Sequence, residues 1–568
     1  MPAPYWSDND NDDDDGSDDS DCSGSITMYS PASNELEASP PPSPLSGSTS
    51  ASRSPTPAPS PIARLPPELI YKILALLCSP PHASLSACGD PFDPASPASK
   101  RFMMMPSLVE PDVGDTFRAW RAATAPLLQV CRLWKDVADP LVLQWVTLRT
   151  WQQLRPLVER VRAPLARHSA GHYVHRIDVA LVPLTGDHST WADLDAWSRS
   201  AVADFLALLA ACPRLHHLLC HGFIPVRGPA REDPAEIDHA QLPFIPALPP
   251  TLQVLQLPAG LRISEKDLTV LASRCAALER LAFSGEWDVG WSAAADALAP
   301  GEQHLPRGRL EHLHAMDVIM EDPAAGPSVP ALTEALAMPR LARLRVTTLL
   351  DEDASPSTRA LFTRALTPLA SSLRCLEIRG ASHWTDRTLW DHTLLWSVLP
   401  LLTNLEDLVL DAFMDAPAEP ARALPVPSVK RILLRGYFES LYWSVQVYAY
   451  EDCMARLAVS LRAILGPVFP GLKLLRLADM EPWSARTRKY AAGFRRWASQ
   501  MEVTERFERF PTEEYEAVAR EAQELCVKRG VRVEDRNGEQ GDWTALAPVE
   551  WCWPQYITDL YRVAGAIV

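Results

Sequence analysis

The sequence predicts an α/β protein, a small N-terminal helical unit followed by an irregular solenoid of strand–helix repeats. Three observations predict it. Two short amphipathic stretches lie between residues 62 and 149. Beyond residue 150, a unit with apolar residues at i, i+3 and i+5 recurs, and helical stretches fill the intervals between its copies. The 53 prolines among 568 residues argue against long uninterrupted helices and for many short elements. At about 100–200 residues per domain, the length leaves room for several globular units or one long array.

Residues 1–61 read as a disordered tail. They hold nine Asp, two Glu and one Arg, a net charge of −10 out of −17 for the chain. The run Asp8–Asp21 repels itself, and Ser30–Pro61 is rich in Ser, Pro and Thr with few residues to bury. Ser or Thr precedes Pro at Ser30, Ser39, Ser43, Ser54, Thr56 and Ser60, which makes these candidate phosphorylation sites; a plain solvated tail is the alternative.

Order is expected from Ile62. Leu65–Leu77 predicts a short helix with its prolines in the first turn and Glu68 at the positive helix start. Leu69, Ile73, Leu76 and Leu77 fall on one side, but Ile70 and Leu74 are apolar too, so this helix needs burial on two sides. Ser79–Asp115, with seven prolines and little periodicity, reads as a disordered insertion, with order resuming at Phe117. Leu127–Pro140 is helical again, with Val130, Leu133, Trp134 and Val137 at i, i+3, i+4 and i+7, and Asp139-Pro140 ends it. A third short element, Leu141–Leu148, contains Trp145.

Leu65-Pro66, Glu68, Leu69, Ile73 and Leu74, followed by Val130, Cys131, Trp134 and Ala138 and then a Trp, resemble an F-box over Ile62–Leu148. The insertion and the long Asp139–Trp145 spacing depart from the compact family pattern. An ordinary helical hairpin is the alternative. The resemblance implies docking to a Skp-family linker protein and, through it, to a cullin ubiquitin ligase. It implies contact residues among Leu65, Pro66, Leu69, Ile73, Leu76, Val130, Trp134 and Trp145, although core packing would explain any one of them.

Residues 150–535 form the expected array. Its units start at Val174, Leu215, Leu252, Leu278, Leu310, Leu341, Leu373, Leu405, Val429 and Leu472. Four successive spacings are 31 or 32, and Pro213, Pro250, Pro339, Pro427 and Pro470 each sit two residues before a unit, where proline stops a helix and extends the chain. Helices are expected at Ala201–Ala211, Glu265–Arg274, Ala331–Met338, Arg359–Leu366, Thr388–Leu399 and Asp452–Leu465, then at Pro511–Gly530 before a last strand at Val531–Val533. The array resembles leucine-rich repeats, with one departure. The chain has five Asn in all, none at the family's post-strand position. A doubly wound α/β domain is the alternative. Residues 536–568, with Trp543, Trp551 and Trp553, are expected to cap the end.

The rest of the composition excludes more than it points to. The body beyond residue 61 has a net charge of only −7, against a nucleic-acid or anionic-membrane binder. Scattered cysteines without zinc-like spacing, with no apparent signal peptide or apolar span, place the chain in the cytoplasm or nucleus. No phosphate-loop, dinucleotide, zinc-protease or nucleophile-elbow motif occurs, so no catalytic residue, metal or cofactor is expected. His216, His217 and His221 fall on a strand, too far apart for one ion, and His312 and His314 read likewise. Cys131 and Cys275 read as core.

The function expected on the F-box resemblance is that of a substrate-recognition adaptor and not an enzyme, the F-box docking the linker and the array holding the substrate. A repeat scaffold without a ubiquitin role and an unrecognised α/β enzyme are the alternatives. Strand alternation puts i+4 and i+6 outward, in columns on the concave side. From the fifth unit on these include Arg345, Glu377, Arg379, Asp411, Arg435 and Arg476, with His221 and His314 in the same columns earlier. Arg345, Arg379, Arg435 and Arg476 suit an acidic or phosphorylated partner segment, or the chain's own Asp8–Asp21; the alternative is pairing with Glu377 and Asp411.

Overall fold

The computed structural model describes residues 65–78, 90–93, 111–165, 168–179, 191–220, 244–257, 265–285, 308–320, 336–348, 363, 366–380, 398–411, 424–435, 455, 458–459, 461–478, 480–482, 513–535, 538–541 and 546–548. The acidic tail, most of the expected insertion, His221 and the three C-terminal tryptophans lie outside them.

Helices α1 (Pro67–Cys78), α2 (Pro111–Thr124) and α3 (Arg132–Val142) form the N-terminal unit. Pro66 precedes α1 and its carbonyl accepts from the amides of Leu69 and Ile70, while Pro67 opens the helix at the position that has no internal partner to lose. Ile70, Leu74 and Cys78, four residues apart, are buried against Trp120, Ala138, Leu141 and Val142. The Trp120 indole donates to the Cys78 carbonyl at 3.2 Å. Helix α3 runs through Asp139-Pro140 instead of stopping there. Proline so near the end of a helix gives up little, and the Leu143 amide still donates to the Asp139 carbonyl. Order also begins before Phe117, since α2 starts at Pro111.

Twelve parallel strands follow among the described residues. They are β1 (Trp145–Leu148), β2 (Arg176–Val179), β3 (His217–Cys220), β4 (Val254–Gln256), β5 (Arg280–Gly285), β6 (Ala315–Met320), β7 (Arg343–Thr348), β8 (Cys375–Gly380), β9 (Asp407–Asp411), β10 (Arg431–Arg435), β11 (Leu474–Leu477) and β12 (Arg532–Glu534). Each pairs with the strand before it in the chain, so spatial order equals chain order. A doubly wound sheet reverses its strand order once; this sheet never does. Its first strand is Trp145–Leu148, so the sheet starts before residue 150 and takes Trp145 with it.

Register explains why the apolar unit recurs. Ile177, Leu218, Leu255, Leu281, Met316, Leu344, Leu376, Leu408, Ile432, Leu475 and Val533 stand side by side across the sheet. They face a core shared with α4 (Leu154–Arg162), α5 (Trp191–Ala211), α6 (Glu265–Arg274) and α7 (Glu513–Arg529). At the strand entries one carbonyl after another, from Gln144, His175, His216 and Gln253 through to Lys430, accepts two consecutive amides of the next strand, and that of Lys473 accepts the Arg532 amide, so the stacked edges satisfy one another.

One unit is displaced from its expected place. The aligned triplet is Leu313, Met316 and Val318, three residues beyond the one starting at Leu310. Both triplets fit the sequence pattern, but Ala315 is smaller than the Val318 that fills the core column. The regular spacing of 31–32 therefore breaks at this unit. Leu336–Ala337 is also not helical; it pairs with Gly308–Arg309. Before the last strand comes α7, as expected, and after it Gly530 (φ +68°) turns the chain. The amides of Gly530 and Val531 return to the carbonyls of Val527 and Cys526, closing the helix before β12. From the expected cap, Leu546–Pro548 pairs with Met480–Pro482.

Candidate binding surfaces

The first surface lies on the helical unit. With Ile70, Leu74 and Cys78 turned inward, α1 leaves Leu69, Tyr71, Ile73, Leu76 and Leu77 outside, Leu76 at 81% exposure. Val130 and Leu133, at the start of α3, are exposed as well. A helix apolar on both sides thus buries one side only. Of the eight expected contact residues, Leu69, Ile73, Leu76, Val130 and Pro66 are exposed, and Leu65 and Trp134 are half-buried against the unit's own core. Trp145 is a correction. It is 1% exposed, its ring lies 5.1 Å from Phe117 and 5.2 Å from Trp120, and its indole donates to Asp178. A side chain so enclosed cannot anchor a partner. It ties the helical unit to β2, with Arg176 held against both the ring and Asp178.

The second surface is the sheet face opposite the main core. Alternation puts a further row of side chains there, beside the expected i+4 and i+6 columns. The row through Asp178, Leu219, Arg345, Glu377, Val409, Leu433, Arg476 and Glu534 is the one counted forward from the apolar unit. A second row, two residues earlier on each strand, carries Arg176, His217, Arg280, Arg343, Cys375, Asp407, Arg431 and Leu474. The sequence reading missed this second row because it counted alternation in one direction only.

The expected arginine patch is not a free surface. Arg345 and Glu377 form an ion pair at 2.8 Å with side chains 3% and 0% exposed, and Arg476 pairs with Glu534 while buried itself. Burial of the pairs, not exposure of the cations, is what this face presents. The side chains of Arg379 and Arg435 lie outside the described residues, and His314 stands at a strand entry, outside the columns assigned to it.

Asp90–Asp93, within the stretch expected to be structureless, sits on this same face. It is a tight turn with Pro91 in its second position. The Asp90 carboxylate accepts from the Phe92 amide at 2.9 Å and the Asp90 carbonyl from the Asp93 amide at 3.1 Å. Phe92 is 5% exposed and packs on Val409, Leu433, Leu474 and Ala478. Arg431 lies over its ring at 4.4 Å and Arg476 at 5.8 Å. The Arg476 guanidinium donates to the Phe92 carbonyl, and Arg343 pairs with Asp90 at 3.2 Å. Phe92, Arg343 and Arg431 were all missed from sequence. The one available signal was an aromatic residue inside an Asp-Pro turn, in a stretch otherwise poor in residues worth burying.

Among the described residues, no group of three or more His, Cys, Asp and Glu could hold a metal. Burial pushes the thiols of Cys212, Cys375 and Cys526 up to about 12 and Cys275 to about 11. Cys131 is exposed at the start of α3, not in the core as expected, because the buried side of this helix begins with Trp134. No helix among the described residues is long and apolar enough to cross a membrane. The chain matches no protein-family model, and no curated protein matches it.

Proposed function

We propose that the chain is the substrate-recognition adaptor of a Skp–cullin–F-box ubiquitin ligase, its helical unit an F-box and its sheet a degenerate leucine-rich-repeat array. One observation carries the reading: α1 is apolar on two sides and buries only its Ile70–Leu74–Cys78 side, leaving Leu69, Ile73 and Leu76 in solvent. Such a side is stable in solution only at a cost, which a partner groove removes. The sequential parallel strands support the array reading, since each unit buries its apolar side only against its neighbours. The docking set is then Pro66, Leu69, Ile73, Leu76 and Val130, without Trp145.

The test is co-precipitation with a purified Skp-family linker protein. Ile73→Asp and Leu76→Asp are expected to abolish capture at unchanged melting temperature, because both side chains are already exposed. A chain beginning at Thr150 is also expected to lose it. Capture of both point variants at wild-type strength leaves a repeat scaffold without a ubiquitin role.

A further inference from the structure

Phe92 sits where Val409 and Leu433 stand side by side on the second sheet face. Positions equivalent to Val409 and Leu433 carry charge on the flanking strands, Arg345 and Glu377 on one side and Arg476 and Glu534 on the other. Between these charges Val409, Leu433 and Leu474 form an apolar floor, with Ala478 at its edge. The walls are cationic and held in place. Asp407 fixes the Arg431 guanidinium and Glu534 fixes that of Arg476, so each is oriented before any ligand arrives. Arg343 supplies the third cation, one strand beyond the neighbour of the floor. An apolar floor under an aromatic ring, a guanidinium over that ring, a donor to its carbonyl and a cation for an acid two residues earlier are the parts of a peptide site.

We propose that the face formed by β7 and β9–β11 is a recognition site for a short turn of Asp-x-Phe chemistry. The chain's own Asp90–Asp93 is its resident ligand, and a partner protein bearing an acidic residue two positions before an aromatic one displaces it. The inference deepens the reading that the array holds the partner, and it does not depend on the linker. Recognition runs through the ring first, because Phe92 packs on the apolar floor, and through Asp90 second. The turn itself is self-supporting: Asp90 accepts from the Phe92 amide, so a partner with the same residues presents the same shape at little ordering cost.

A fluorescein-labelled peptide of residues 89–96 tests this against the full chain and its Phe92→Ala variant by anisotropy. The variant is expected to bind it saturably, and the wild-type chain at least tenfold more weakly, since its own turn is in place. The same peptide with alanine for phenylalanine is expected to bind neither. A tethered ligand has an effective concentration on the order of millimolar, so a site truly held in cis must saturate with free peptide by the millimolar range. Absence of saturation there, equal binding by both chains, or equal binding of the alanine peptide each overturn the proposal. The Asp90→Lys chain gives a second reading independent of Phe92→Ala folding. It is expected to bind the peptide at least threefold more tightly than wild type, and no change overturns the role of Asp90. Linker capture by these variants is expected to be unchanged. Retained linker capture by Ile73→Asp with saturable peptide binding to Phe92→Ala defeats the adaptor reading alone; lost capture by Ile73→Asp without saturable peptide binding to Phe92→Ala defeats this proposal alone.

Discussion

His217 stands on the second sheet face between Arg176 on β2 and Val254 on β4. Burial, then the charges of Arg176, His216 and Arg280, push its imidazole down to about 4, against a pull upward from Asp178. The unfolded chain takes up this proton near pH 6.5 and the folded chain only near 4. Stability is therefore full above pH 6.5 and falls as pH drops through that window, by about 3 kcal/mol at about 1.4 kcal/mol per unit. Melting temperature measured from pH 8 to 4.5 is expected to decline below 6.5, and His217→Gln to flatten the decline; a parallel curve for the variant would refute the assignment. Cysteine reactivity divides the same way. Cys131 is expected to take up maleimide in the native protein while Cys78, Cys212, Cys220, Cys275, Cys375 and Cys526 do not, as peptide mass spectrometry will show. At this scale the sequence was a poor guide to exposure. Cys131 and Trp145 both lie in the stretch carrying the F-box resemblance, yet one is outside and the other enclosed, because a motif names residue types and not the side from which they are covered.

The helix and strand elements were more legible. Nine of the ten apolar triplets lie in the aligned core column, since a strand slipped by one residue would turn its leucines into the charged face. The tenth slipped by three because Leu310 and Leu313 both head an acceptable triplet, and only the neighbours' register chooses between them. Helices α6 and α7 were found within a residue or two from period and stop signals, whereas α3 outran its proline. The element-scale prediction contrasts two leucines. Leu408 is 0% exposed in the centre of the ladder, so Leu408→Ala is expected to cost about 2–5 kcal/mol in urea unfolding. Leu76→Ala, on the open side of α1, is expected to stay within about 0.5 kcal/mol. A comparable loss at both positions would mean that the outward side of α1 is packed in the free protein.

In the whole molecule, strand order, chain order and the apolar ladder all agree, which is why the α/β class and its sequential strands could be read from a one-dimensional pattern. What could not be read is a contact that breaks the sequence of neighbours. Phe92 reaches Arg476, 384 positions away, and Asp90 reaches Arg343, 253 away. Local periodicity carries no information about such pairs. The span also has a consequence in time. The ribosome makes the turn early and the strands of its site late. At about 5–20 residues per second, Phe92 leaves the ribosome roughly 20–80 s before Arg476 does. Throughout that interval the turn is a ligand without a receptor, and once β11 emerges the receptor is met by a ligand that has been waiting beside it. Every newly made chain therefore begins life with its site already answered from within, and a rival must arrive as a displacer, never as a first occupant.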